Sequence, residues 1–203
     1  LILRIMRTVL MWRNAMRFFD LHCDTLYRLK TEKGNIYDNN FHVSIKDVKK
    51  YNPYIGCFAV WIPDTLKKED AMSFFNSCKD ILSSQQEMYK DEFVICKSKE
   101  DLEEILRTKK RGVLLTIEGS RVLNGNLSNV KYIADCGVKI VTLTWNGTSD
   151  VGDGSGVKEA KGLTNFGKKL VKEFERYNII VDVSHASDSL FYDVFSISER
   201  PFI

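Results

Sequence analysis

Five short apolar runs, residues 17–21, 55–62, 112–117, 139–144 and 179–183, are separated by longer stretches whose apolar residues recur at helical spacing. No other feature narrows the fold as much. Strands separated by helices cannot pair as hairpins, so they form βαβ units and a parallel sheet. Runs such as IGCFAVWI and GVLLTI are apolar on consecutive residues rather than alternate ones, as expected of strands covered on both faces.

The helical stretches span residues 65–90, 99–109, 128–136, 164–177 and 187–195. Ser98, ahead of Glu100, Asp101 and Glu103, reads as an N-cap with acids in the first turn. Thr164 reads the same way, with Gly167, Leu170, Val171 and Phe174 as the inward stripe. The closing RPFI reads as the opening of a sixth strand. Five units and a sixth strand in 203 residues predict an α/β fold, a TIM-like (β/α)8 barrel that is incomplete, since such barrels run to about 250 residues. The competing architecture is a complete doubly wound open sheet.

One partial barrel domain is expected over residues 16–203. Residues 1–15 carry Arg4, Arg7 and Arg13 and no acid, and the arginines interrupt the apolar run a secretory signal needs, so this segment is expected as an extension outside the fold. The net charge of +3 is spread among acids, which argues against a nucleic-acid partner. No apolar run approaches the ~20 residues that span a bilayer, and no membrane association is expected. Five cysteines, none spaced as CxxC, read as free buried thiols in a reducing compartment, hence a cytoplasmic protein.

His22 and Asp24 follow the first apolar run, Glu118 the third, and His185 the fifth. In a parallel barrel, strand ends of one polarity meet on one face, where active sites lie. Two imidazoles and two carboxylates would then converge. That set suits zinc, and a shared acid would let a paired site form around an activated water, giving a hydrolase. Only three histidines exist, and His42, in the polar NNFHVS, is expected at the surface. Asp182, inside the fifth run, is expected to support the ligands or to be a satisfied barrel acid rather than to bind metal. The loop GTSDVGDGSG, residues 147–156, lacks the ends of a P-loop or an EF-hand and is expected as a mobile rim.

FDLHCDT, LTIEG, VTLTWN and especially GLTNFGKKLVKEFERYNIIVDVSHAS resemble the zinc dipeptidases of the renal, or membrane, dipeptidase family, from about Phe18 onward. The resemblance implies a barrel of the metal-dependent hydrolase type with two zinc ions, hydrolysing dipeptides through a metal-bridging hydroxide. His22 and Asp24 would bind one zinc, Glu118 would bridge both and share in catalysis, and His185 would bind the second. A further histidine, a substrate-binding arginine and an aspartate belong to segments beyond RPFI, so the second site is expected to be incomplete. Where some members carry a carbonyl-polarising histidine, this chain has Trp145 and Asn146, which become candidate substrate contacts. Manganese or cobalt would suit similar ligands, and family members are often dimers. The alternatives are an inactive or merely metal-binding fragment of such an enzyme, and a related binuclear amidohydrolase or lactonase.

Overall fold

The structure is a computed structural model that describes residues 16–203. The expected extension over residues 1–15 lies outside the described residues. The strands are β1 (Phe18–Cys23), β2 (Tyr54–Trp61), β3 (Phe93–Ile95), β4 (Arg111–Glu118), β5 (Ile140–Thr142) and β6 (Ile180–Asp182). The helices are α1 (Thr25–Thr31), α2 (Lys68–Met88), α3 (Lys99–Arg107), α4 (Ser128–Asp135), α5 (Asn165–Arg176) and α6 (Asp188–Ile197).

The sheet path runs β1-β2-β4-β5-β6 with every pairing parallel. Strand order follows chain order without reversal. A doubly wound sheet turns back at a switch point; this one does not, so it is an incomplete β/α barrel. The RPFI segment begins to pair as expected: Ile203 N–H donates to Val181 O at 3.0 Å, and Val183 N–H donates to Ile203 O at 2.7 Å.

β3 and α1 were not legible as elements. β3 has three residues and shares one edge of β4 with β5: β3 pairs along Arg111–Val113, β5 along Thr116–Glu118. α1 has seven residues, too few to repeat an apolar stripe.

The helix ends follow their capping chemistry. At α3, Ser98 Oγ accepts from Asp101 N–H at 3.2 Å while Asp101 Oδ2 accepts from Ser98 N–H at 2.9 Å, a reciprocal box typically worth about 1 kcal/mol. At α5, Thr164 Oγ1 accepts from Gly167 N–H at 3.0 Å. Gly167, Leu170, Val171 and Phe174 are buried there as the helical spacing requires.

Alternation along β4 decides where the chemistry sits. Val113, Leu115 and Ile117 join the main core with Phe75, Leu82 and Phe174 from the helices. Glu118, one residue on from Ile117, points to the other face, because successive strand side chains alternate. The C-terminal ends of β1, β4 and β6 thus carry His22, Glu118 and the turn to His185 to one end of the sheet.

Candidate metal centre

His22 Nε2 lies 3.3 Å from Asp24 Oδ1 and 3.6 Å from Glu118 Oε2. The ligand atoms of these three residues all lie within 4.8 Å of one another. His185 Nε2 meets the other Glu118 oxygen, Oε1, at 3.1 Å. The four residues expected at strand ends therefore come together, and the Glu118 carboxylate divides its oxygens between two imidazoles.

His185 is fixed at both ends of its residue. Its backbone takes a left-handed conformation with φ +63°, a region that costs most side chains energy and that clusters at functional sites. Ser155 N–H donates to its carbonyl at 2.8 Å. Its ring Nδ1 meets Asn146 Oδ1 at 3.0 Å. A neutral imidazole that donates Nδ1–H to Asn146 keeps a lone pair on Nε2, facing Glu118. The Asn146 side chain, expected as a substrate contact, meets the His185 ring.

The electrostatics fit a cation. Glu118 has a side chain only 8% exposed, and burial pushes its carboxyl above the usual carboxylate range despite the opposing pull of His22 and His185. The hydrogen bond from His22 holds the Asp24 carboxyl below its ordinary value, and the same bond raises His22. Zinc bonds of about 2.0–2.2 Å in a tetrahedron put ligand atoms roughly 3.3–3.6 Å apart, the spacing seen around His22. The donor set of imidazole nitrogen and carboxylate oxygen suits zinc or a similar divalent ion.

Asp182 is buried and hydrogen-bonded. Its Oδ2 accepts from Thr142 Oγ1 at 2.6 Å and its Oδ1 from Ser184 N–H at 2.8 Å. A cavity of about 220 Å³ is lined by Asp182, Thr142, His22, Glu118 and His185.

A larger cavity, about 480 Å³, opens over the same cluster and adds Tyr27, Arg28, Glu32, His42, Trp61 and Trp145. Tyr27 meets Trp61 edge-on at 5.0 Å between ring centroids, and Trp61 meets Trp145 at 5.1 Å, so one wall is aromatic. Trp145, a candidate substrate contact, stands in that wall. His42 is exposed, as expected, but it also borders the cavity with Nδ1 3.3 Å from Asp24 Oδ2, a contact that sequence reasoning missed. The same reasoning missed Trp61, the last residue of β2, which the strand-end rule used for the ligands could have found.

The loop over residues 147–156 is tied down rather than a mobile rim. Gly154 N–H donates to Gly147 O at 3.0 Å, Gly156 N–H to Asn146 O at 3.0 Å, and Gly147 N–H to Asp64 Oδ2 at 3.2 Å. A Cβ on Gly154 would stand 1.9 Å from Trp145 O, so only glycine lets the loop pack against the segment that presents Trp145 and Asn146.

A parallel barrel with imidazoles and carboxylates gathered at the C-terminal ends of its strands has the build of a metallohydrolase. The chain belongs to the membrane dipeptidase family (Peptidase family M19), whose sequence profile matches residues 6–203. A mouse (Mus musculus) protein, Dipeptidase 3, is 32% identical over 103 residues, covering 47% of this chain and 21% of its own length. An uncharacterized protein in the PQQ-III 3' region of Acinetobacter calcoaceticus is 27% identical over 128 residues, 60% of this chain and 41% of its own. The matches thus span less than half the length of these relatives. The solved structure of a metallo peptidase from Rhodobacter sphaeroides, liganded with a phosphinate mimic of the dipeptide L-Ala-D-Ala, superposes with a TM-score of 0.82 at 20% identity, covering 93% of this chain and 64% of that one. At that identity the likeness is one of fold. Among the described residues, no helix is long and apolar enough to cross a membrane.

Proposed function

We propose that the protein is a zinc-dependent dipeptidase, with His22, Asp24 and Glu118 holding one ion and Glu118 and His185 contributing to a second. The observation that carries this reading is Glu118, a buried carboxylate with Oε2 toward His22 at 3.6 Å and Oε1 toward His185 at 3.1 Å. A carboxylate so placed is suited to bridge two cations. Zinc supplies Lewis-acid polarisation of the scissile carbonyl and makes a nucleophile of water near neutral pH.

The chain's own residues do the rest. Asn146 holds the His185 ring so that Nε2 faces the cluster, and Asp182 is held by Thr142 and Ser184 beneath it. Tyr27, Trp61 and Trp145 form an apolar wall against which a dipeptide can lie. At the same cavity, the Arg28 guanidinium is held by Glu32 through two hydrogen bonds, at 2.7 and 3.0 Å. Five free cysteines with no disulfide among the described residues support a reducing compartment, and the cytoplasm is the proposed location.

The test is a dipeptide panel, with D and L residues at the C-terminal position, incubated with the zinc-loaded protein and read by amino-acid release. Cyclic amides and lactones are included as the rival substrates. Hydrolysis of dipeptides that stops in Glu118→Gln supports the reading. Turnover confined to lactones or cyclic amides, or no turnover at all, contradicts it.

A further inference from the structure

The two oxygens of Asp24 face different histidines. Oδ1 lies 3.3 Å from His22 Nε2, while Oδ2 lies 3.3 Å from His42 Nδ1. The backbone N–H of Asp24 also points at His42 Nδ1, at 3.4 Å. We propose that His42 is a positioning residue for Asp24, and that the segment over residues 33–46 is a strap built to hold it there. The inference rests on the metal-centre reading above and concerns a residue outside the ligand set.

The strap is anchored at both ends and beside the site. Thr25, the fully buried neighbour of Asp24, donates its hydroxyl to Val43 O at 2.8 Å and accepts from Val43 N–H at 3.0 Å. The residue after the ligand is thus tied twice to the residue after the imidazole. Farther along, Ile36 N–H donates to Gln85 Oε1 of α2 at 2.8 Å, Ile45 N–H donates to Ile36 O at 3.0 Å, and both isoleucine side chains are fully buried. The Phe41 ring lies under the Arg28 guanidinium, 4.5 Å from its centroid. These contacts spend two core isoleucines, a buried threonine and a helix glutamine on a stretch without helix or strand, and what they deliver over Asp24 is one imidazole.

Packing does not account for that imidazole, because its side chain is 53% exposed. Its contacts are with the backbone and the carboxylate of Asp24. With a hydrogen on Nδ1 the ring donates to Oδ2, and without one Nδ1 accepts the Asp24 amide hydrogen; either tautomer seats the ring beside the carboxylate and limits its rotation away from His22. Groups that orient a ligand in this way typically contribute 10–100-fold to metal affinity.

The experiment measures zinc affinity by competition with a chromophoric chelator for the wild type, His42→Ala and His42→Asn, with thermal unfolding of each in EDTA. Asparagine can accept the Asp24 amide hydrogen and place an NH₂ group at Oδ2. The expected result is a loss of about 10–100-fold in His42→Ala, recovery of most of it in His42→Asn, and unchanged unfolding in EDTA. Equal affinity in wild type and His42→Ala overturns the inference and leaves the metal centre standing. A wild type that binds no zinc removes the metal centre and this inference together. A loss of affinity that asparagine does not restore, accompanied by lower stability in EDTA, assigns His42 to folding and also overturns it.

Discussion

Replacing Glu118 by Gln separates a metal ligand from a structural acid, because the two roles predict opposite signs. In the ion-free protein Glu118 is a buried carboxylate whose carboxyl is raised by desolvation. A group raised by folding contributes stability that is fully present below its unfolded pKa and is lost as pH rises through the folded value. The ionised carboxylate is therefore a burden at neutral pH, and a neutral amide of the same size relieves it. In EDTA at pH 7, Glu118→Gln should unfold at the wild-type temperature or above, with the gap closing on acidification. Zinc at about 100 times its dissociation constant stabilises the binding-competent protein by about 2.7 kcal/mol. For a chain of this size, 1 kcal/mol moves the midpoint by about 2–4 °C, so the wild type should gain roughly 5–11 °C with zinc. The variant should gain much less, having lost the carboxylate that joins the His22 and His185 sides. Thermal unfolding followed by circular dichroism, with and without zinc, reads both effects. If Glu118→Gln melts several degrees below wild type in EDTA, Glu118 is an ion-pair partner that holds the two histidines, and the ligand argument fails.

Two further outcomes follow from buried groups around the site. Thr142→Val removes the 2.6 Å hydrogen bond to buried Asp182, and leaving a buried carboxylate oxygen without its donor should cost about 1–3 kcal/mol in urea unfolding; no loss would mean that Asp182 does not depend on this partner. Burial pushes the thiols of Cys23, Cys57 and Cys78 up to about 12, leaving a thiolate fraction on the order of 1 in 10,000 at pH 8. Iodoacetamide should therefore label half-buried Cys136 before these three, and mass spectrometry showing Cys23 modified first would contradict the packing.

The clustering of the strand-end histidines and carboxylates was legible because parallel strands bring their C-terminal ends to one face, so position along the chain becomes position in space. The caps at Ser98 and Thr164 and the stripe from Gly167 to Phe174 were legible because each depends on residues three or four apart. His42 was not legible, since its place over Asp24 rests on bonds such as Thr25 to Val43 and Ile36 to Gln85, the latter spanning 49 residues. Asn146 sat in the expected segment, but its bond to His185 crosses 39 residues and gives it a different partner. The glycines of residues 147–156 suggested freedom of motion; at Gly154 they serve close approach to the Trp145 carbonyl. β3 escaped because three residues cannot display a period.

The most direct test of the central claim is the zinc content of the purified protein after dialysis, beside that of Asp24→Ala, Glu118→Gln and His185→Ala. The account predicts zinc retained by the wild type, two ions when both sites fill, a partial loss in His185→Ala, and a loss in Glu118→Gln that exceeds either single-site variant. Wild-type protein that retains no zinc, or a zinc content that Glu118→Gln leaves unchanged, would contradict it.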